Sequence, residues 1–273
     1  PSCCAIALQR TALDFGAEYA ELTKSYVKDA FYVDDLLASV SDVQTATTLA
    51  QQLRDLLSKA GFNLTKWVSS HPETLKNIPE EHLSKKLKNL DLDATSVVER
   101  ALGVMWDIQH DQLTYNVAND TKASTKREVL SVLSSVYDPL GLISPFVLRA
   151  KLIFQDLCRQ RLGWDDPMSS QSIHQWNVWV QELQQVKNVK IPRCFSSDIV
   201  PLEYQLHHFA DGSTKGYGVT SYILMRGSDL SVSRIIMAKA RLAPIKTATI
   251  PRLELMAATL AAKQDELLKR ELN

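Results

Sequence analysis

Apolar positions recur three and four residues apart over residues 43–60, where Val43, Ala46, Leu49, Leu53, Leu56, Leu57 and Ala60 fall on one helical stripe. The spacing predicts a helix opened by Ser41 and Gln44 as a capping box and stopped at Gly61. Residues 4–14 show the same period. Between these helices two short apolar runs, Phe31–Val33 and Leu36–Val40, flank Asp34-Asp35. That arrangement predicts a tight β-hairpin with both carboxylates at its tip. Phe62–Val68 reads as a strand, Val97–Asp107 holds another around Leu102–Trp106, and Leu113–Val117 is a weaker third.

Helical spacing returns near residue 121. Thr125 and Glu128 form a second capping box ahead of Val129, Leu130, Val132, Leu133 and Val136, and Pro139 ends that helix. Ser144 as cap and Pro145 at the first helical position open a helix to about Leu162, with Gly163 behind it. A third helix spans roughly 170–187, with Ile173, Trp176, Val180, Leu183 and Val186 on one face. Past Ile191-Pro192 the period becomes two: Leu206–Asp211, Gly216–Met225 and Ser231–Ala240 read as strands, the last two joined at 226–229. Pro251 then opens a long helix to about residue 271. The pattern is α+β, with no internal repeat.

Composition changes this picture little. With 45% hydrophobic and 23% charged residues in 273, the chain has enough apolar side chains for real cores, which excludes a disordered or low-complexity protein. Only 9 glycines argue against an all-β chain with many tight turns. Cys3, Cys4, Cys158 and Cys194 have neither metal-ligand spacing nor the density of a disulfide scaffold, so a reducing compartment is expected. No signal peptide is apparent, and no apolar run reaches about 18 residues, so no membrane partner is expected. The chain opens on Pro1 and closes inside a helix, and both ends read as cut.

Charge is balanced, 31 basic residues against 31 acidic, yet Lys122–Arg161 holds seven basic residues and three acidic ones. A basic helical face suits phosphate tracking, and a mixed solvated surface fits the same count. Adjacent carboxylates at a hairpin tip repel each other. A hard divalent cation such as Mg²⁺ offsets that repulsion, and a solvated acidic turn needs none. Asp211 followed by Gly-Ser is, by itself, a turn. Trp164, Trp176 and Trp179 read as core rather than as a stacking platform, because Trp176 follows the apolar spacing of its helix.

The context of Asp34-Asp35, Phe31-Tyr32-Val33-Asp34-Asp35-Leu36-Leu37, resembles the YVDD box of reverse transcriptases. Residues 31–67, 98–107, 126–167 and 250–262 look like the pol polyprotein of Pao/BEL-type LTR retrotransposons; within them the run from Ser134-Ser135-Val136-Tyr137-Asp138-Pro139-Leu140-Gly141 through Pro145-Phe146 to Arg149-Ala150-Lys151 is the most specific. The resemblance implies a multi-domain fragment: the C-terminal part of a polymerase palm over 1–120, a helical thumb and connection over 121–190, and the N-terminal part of an RNase H-like domain over 191–273. It implies that Asp34 and Asp35 are catalytic metal ligands for nucleotidyl transfer, with Tyr32 near the primer end and Lys66 near the incoming deoxynucleoside triphosphate. Lys66 as a solvated strand lysine is the alternative. Gly103, Met105 and Trp106 look like part of a primer-grip hairpin, a reading compatible with a core strand. Lys126, Arg127, Arg149 and Lys151 would then lie along the template–primer duplex.

The same resemblance implies a second acidic centre, Asp211 on the first strand and Glu254 on the first helix of an RNase H-like domain, converging on Mg²⁺ or Mn²⁺ beneath the RNA strand of an RNA–DNA hybrid. His207 and His208 are read as structural. Each centre lacks partner carboxylates within 1–273, so an inactive fragment of an RNA-directed DNA polymerase and ribonuclease H is expected, working beside the rest of the polyprotein. Its location would be intracellular: cytoplasmic, in a virus-like particle, or nuclear. A non-catalytic nucleic-acid-binding remnant is the alternative. An aspartic-type peptidase, a label attached to part of this region, is disfavoured because no Asp-Thr-Gly or Asp-Ser-Gly turn is present; residues 211–213 run Asp-Gly-Ser.

Overall fold

In a computed structural model of the chain, the described residues are 2–85, 98–101, 103–117, 121–196, 199–246 and 248–272. The chain divides into two compact units, Pro1–Gln112 and Leu113–Asn273.

The first unit contains α1 (Ser2–Phe15), α2 (Glu21–Asp29), β1 (Phe31–Tyr32), β2 (Asp35–Leu36) and α3 (Val43–Ser58). The predicted stripe of α3 supplies Leu49, Leu53, Leu56 and Leu57 to a core completed by Leu8 and Val27. Phe31 and Leu36 are cross-strand partners and pack on this core, which leaves the other pair, Tyr32 and Asp35, facing solvent. The hairpin turn is Val33-Asp34, so Asp34 sits at the tip and Asp35 begins the return strand. Val33 takes a φ of 60°, a left-handed conformation that costs a β-branched residue about 1–2 kcal/mol.

Two local expectations are corrected here. The cap of α3 is Asp42, not Ser41: its Oδ1 accepts from Thr45 N at 2.8 Å, and Ser41 Oγ donates to its Oδ2 at 3.0 Å. A carboxylate is the stronger acceptor at a helix N-terminus, and the Thr45 N–H in turn holds the Asp42 carboxyl below its usual range. Residues 62–68 do not form a strand. Lys66 turns left-handed, with a φ of 59°, and breaks the extended run; Trp67 keeps one parallel bridge, to Leu83.

The segment that reads as a strand around 102–106 by pattern, and as part of a hairpin by resemblance, lies in a hairpin. β3 (Val98–Ala101) and β4 (Val104–Asp107) pair antiparallel, and Gly103 takes the turn with a φ of 86°. Val97 and Leu102 lie outside the described residues. β5 (Gln112–Thr114) ends sooner than the predicted 113–117.

The second unit carries α4 (Lys126–Ser135), α5 (Ser144–Arg159), α6 (Ser170–Leu183), β6 (Ile191–Pro192), β7 (Glu203–Gly212), β8 (Gly216–Arg226), β9 (Ser231–Leu242) and α7 (Ile250–Leu272). Both bonds of the Thr125/Glu128 capping box form. Ser144 is not the cap of α5 but its first residue, and Ile143 at the cap position contributes no side-chain bond. Asp138 does the capping from a distance, accepting from Leu142 N and Ile143 N at 3.0 Å each, and from the Tyr115 hydroxyl at 3.0 Å. Burial, and then the neighbouring Asp138 charge, push the Tyr115 hydroxyl well above the usual phenol range. Val129, Ala150, Leu157, Trp176, Trp179 and Leu183 form the helical core, with the two Trp rings 4.8 Å apart. Trp176 and Trp179 are therefore core, as the spacing predicts.

β7, β8 and β9 make an antiparallel meander in that order. Tyr217 and Val219 pack with Leu253, Ala257 and Leu260 of α7. Gly216, pointing the opposite way, abuts Leu148 of α5. Helices thus cover both faces. Leu140 O accepts from Ala238 N at 2.8 Å, capping the outer edge of β9. Gly141 allows that approach, because a Cβ there would sit 1.8 Å from Ala238 O, and its φ is 70°. Gln155 Nε2 donates to Ala243 O at 2.8 Å. The helices and the meander are fastened together by these bonds and share one unit. Among the described residues the outer edge of β7 pairs with no strand.

Candidate functional site

Strand alternation builds the main site. Along β7, His207, Phe209 and Asp211 point to one side, and Leu206, His208, Ala210 and Gly212 to the side that α7 covers. Gly212 ends the strand directly under the first turn of α7. A Cβ on it would lie 2.6 Å from the Leu253 carbonyl carbon and 2.7 Å from Glu254 N. Only glycine admits this approach, and it sets Asp211 and Glu254 on adjoining stretches of backbone. Both side chains are exposed. Asp211 Oδ1 accepts from Gly212 N at 2.8 Å, and Asp211 lines an open groove of about 280 Å³ with Phe209, Tyr217 and Lys239 of the sheet and Ser144 and Leu148 of α5.

His208 ties α7 down further along its length. Its Nδ1 lies 2.6 Å from Ser221 Oγ and its Nε2 3.1 Å from Asp265 Oδ1. Gln264 Nε2 donates to the same Ser221 Oγ at 2.7 Å. A hydrogen bond from Lys269, then one from His208, hold the Asp265 carboxyl below its usual range. His208 is thus a fastening between sheet and helix, while His207 faces solvent.

In the first unit the Asp34 and Asp35 side chains are exposed and carry no hydrogen bond or ion pair among the described residues. Tyr32 is 67% exposed beside them. Lys66 is exposed at its left-handed position. Gly103 turns the β3–β4 hairpin, Met105 lies on β4, and Trp106 Nε1 donates to Asp111 Oδ1 at 2.9 Å.

The basic residues singled out on α4 and α5 are mostly engaged. Arg127 holds Asp165 with two bonds, 2.7 and 2.9 Å, which keep that carboxyl below its usual range. Arg149 pairs with Glu182. Lys126 donates to Leu162 O and sits 4.7 Å from the centre of the Trp164 ring. Lys151 alone of the four has no partner among the described residues. Trp164 is 48% exposed, a departure from the core position expected of it, because the Lys126 ammonium and the Arg127 guanidinium lie against its ring.

The donor chemistry of Asp211 and Glu254, like that of Asp34 and Asp35, suits Mg²⁺ or Mn²⁺. Each place supplies two carboxylates. Among the described residues no group of three or more His, Cys, Asp or Glu side chains stands close enough to hold a metal ion. No helix among them is long and apolar enough to cross a membrane. The Gly212–Glu254 contact and the Asp138 cap escaped sequence reading. The Asp138-Pro139-Leu140-Gly141 run did carry a signal for the cap, an acid and a glycine bracketing a turn ahead of a helix.

No curated protein and no solved structure matches the chain significantly. Residues 125–273 match the family model described as the Pao retrotransposon-like RNaseH-like domain. The match spans α4–α6, the meander, α7 and the Asp211/Glu254 pair, more than half of the 273 residues. The chain therefore belongs to the Pao retrotransposon-like RNaseH-like domain family.

Proposed function

We propose that the chain is the part of a retrotransposon pol polyprotein in which Asp211 and Glu254 contribute carboxylate ligands to a divalent-metal site that cleaves the RNA strand of an RNA–DNA hybrid. The observation that supports this reading is the close seating of the Leu253–Glu254 backbone on Gly212, which brings the chain at Asp211 and the start of α7 together, with both acids exposed, at the end of a strand–strand–strand–helix unit. Bound metal ions would supply an activated water and stabilise the leaving oxygen. The chain's own part is to carry two acids on rigid elements, a strand end and a helix start, and to leave both open to solvent. Two carboxylates are fewer ligands than two ions require, so the remaining ligands come from outside these residues. The isolated chain is then a weak metal binder with negligible turnover.

The same reading assigns 1–120 to the C-terminal part of a polymerase palm, 121–190 to the thumb and connection, and 191–273 to the RNase H-like part. These assignments are of ancestry, compatible with helices and sheet sharing one compact unit. Asp34 and Asp35 at the exposed hairpin support the palm assignment, with template–primer and deoxynucleoside triphosphates as partners and an intracellular location. The test is a longer pol polypeptide that includes this chain. Asp211→Asn or Glu254→Gln should lower hybrid-RNA cleavage by roughly 100-fold or more, since preorganised charge is worth that much per group. DNA synthesis should persist in both variants and disappear in Asp34→Asn. Cleavage at the parent rate in Asp211→Asn would remove that residue from the site.

A further inference from the structure

Two fastenings tie β7 to α7, and both use the side of the strand that carries His208, Ala210 and Gly212. At the strand end the Leu253–Glu254 backbone lies on Gly212. Four residues back, His208 Nε2 lies 3.1 Å from Asp265 Oδ1. A carboxylate only accepts, so Nε2 carries the hydrogen and donates it. The other oxygen of Asp265 accepts from Lys269 Nζ at 2.8 Å, one turn further along the helix. His208 Nδ1 is held in turn by Ser221 Oγ at 2.6 Å, and that buried hydroxyl also accepts from Gln264 Nε2 at 2.7 Å. The imidazole is thus fixed from two sides, by β8 and by α7.

The spacing along α7 gives the second fastening a use. Glu254 and Asp265 are eleven residues apart on one helix. At 3.6 residues per turn, eleven residues overshoot three full turns by about 20°, so both acids leave the helix on one face, about 17 Å apart along its axis. From His208 to Gly212 the strand advances about 13 Å. The lengths are similar, so α7 runs back along β7 and meets it at both ends of this stretch. Leu253, turned about 100° away from Glu254, packs instead on Tyr217 and Val219 of β8 with Ala257 and Leu260.

We infer that the hydrogen bond between His208 and Asp265 sets the rotation of α7 about its own axis and thereby turns Glu254 to the β7 side, where Asp211 ends the strand. His208 is then a positioning residue for the proposed metal pair; the inference rests on that reading and names what sets the direction of one of its two ligands. The apolar stripe holds α7 against the sheet, but apolar contact has no direction of its own, whereas a hydrogen bond weakens steeply as it bends. With side chains included, the helix radius is about 5–6 Å, so a rotation of about 20° moves a carboxylate by about 2 Å. A displacement of about 1 Å is already enough to cost a preorganised site heavily.

Residual dipolar couplings of the α7 amides in this chain read the rotation without metal, since their helical wave shifts in phase when the helix turns. His208→Ala and Asp265→Ala should each shift that phase against the β7–β9 amides. Asp265→Asn, which keeps an oxygen for the Nε2–H, should restore it. Val129→Ala opens a cavity in the helical core of the same unit and should lower the melting temperature while keeping the parent phase. Mn²⁺ titration of the same samples, followed at the Glu254 amide, should show binding about 10-fold or more weaker in His208→Ala, as is usual when a residue that orients a ligand is lost. An unshifted phase in His208→Ala, an equal shift in Val129→Ala, or a shifted phase with parent Mn²⁺ affinity each overturns the inference, while Mn²⁺ binding by the parent leaves the nuclease reading standing. A parent that binds no Mn²⁺ at Gly212 or Glu254 overturns that reading, and the positioning role with it.

Discussion

Gly212 and Gly141 are glycines for steric reasons that differ from the reason at Gly61. At Gly212 a methyl group would enter the backbone of Leu253 and Glu254, and at Gly141 it would enter the carbonyl of Ala238. Gly61 has open space around it and is constrained only by its φ of 81°. Gly61→Ala should then cost about 1 kcal/mol, the left-handed penalty alone. Gly212→Ala and Gly141→Ala should each cost more, about 1–3 kcal/mol of overpacking, with the positive φ of Gly141 adding to its share. Thermal unfolding of the three variants checks the order. Gly212→Ala should also shift the amide resonances of Leu253 and Glu254, because α7 has to move to admit the methyl group. Gly61 reads in the sequence as the helix stop, but the contacts of Gly212 and Gly141 were not legible there. Asp-Gly-Ser reads as a turn whether or not a helix some forty positions later lies on its glycine. The left-handed Lys66, which ends a run that reads as a strand, is hidden for the same reason: no local signal marks it.

At the scale of elements, burial on one face imposes a period, and that is why the stripe of α3 and the two-residue alternation of β7 to β9 could be read directly. Ends are harder, because several acceptors compete for the same N–H groups. At α3 the carboxylate of Asp42 wins over the hydroxyl of Ser41, and at α5 Asp138 reaches back from a preceding turn. At α4 the reading was correct: Thr125 caps the helix and Glu128 returns the bond, with Ser124 adding its own bonds to the same carboxylate. Thr125→Ala should destabilise the second unit by about 1 kcal/mol. The Glu128 carboxyl is held below its ordinary 4.5 chiefly by the Ser124 backbone N–H. Its contribution is thus complete above pH 4.5 and is lost as the pH falls through the lowered folded value. An NMR titration of Glu128 should give a midpoint below 4.5, and Ser124 and Thr125 amides should titrate with it. A midpoint at the ordinary value would mean that the carboxylate does not cap the helix.

For the whole molecule, a net charge of zero conceals how charge is arranged. The basic excess at 122–161 is visible in the sequence, but its neutralisation is not, since Arg127 meets Asp165 and Arg149 meets Glu182 across more than thirty residues. The central claim is that Asp211 and Glu254 act as one metal-binding pair. The most direct measurement is paramagnetic broadening of backbone amides in this chain as Mn²⁺ is added. The account predicts that Gly212 and Glu254 broaden together at millimolar metal, and that either Asp211→Asn or Glu254→Gln abolishes the effect at both positions. Broadening at Gly212 that survives Glu254→Gln, or that never reaches Glu254, would show two independent carboxylates and contradict it.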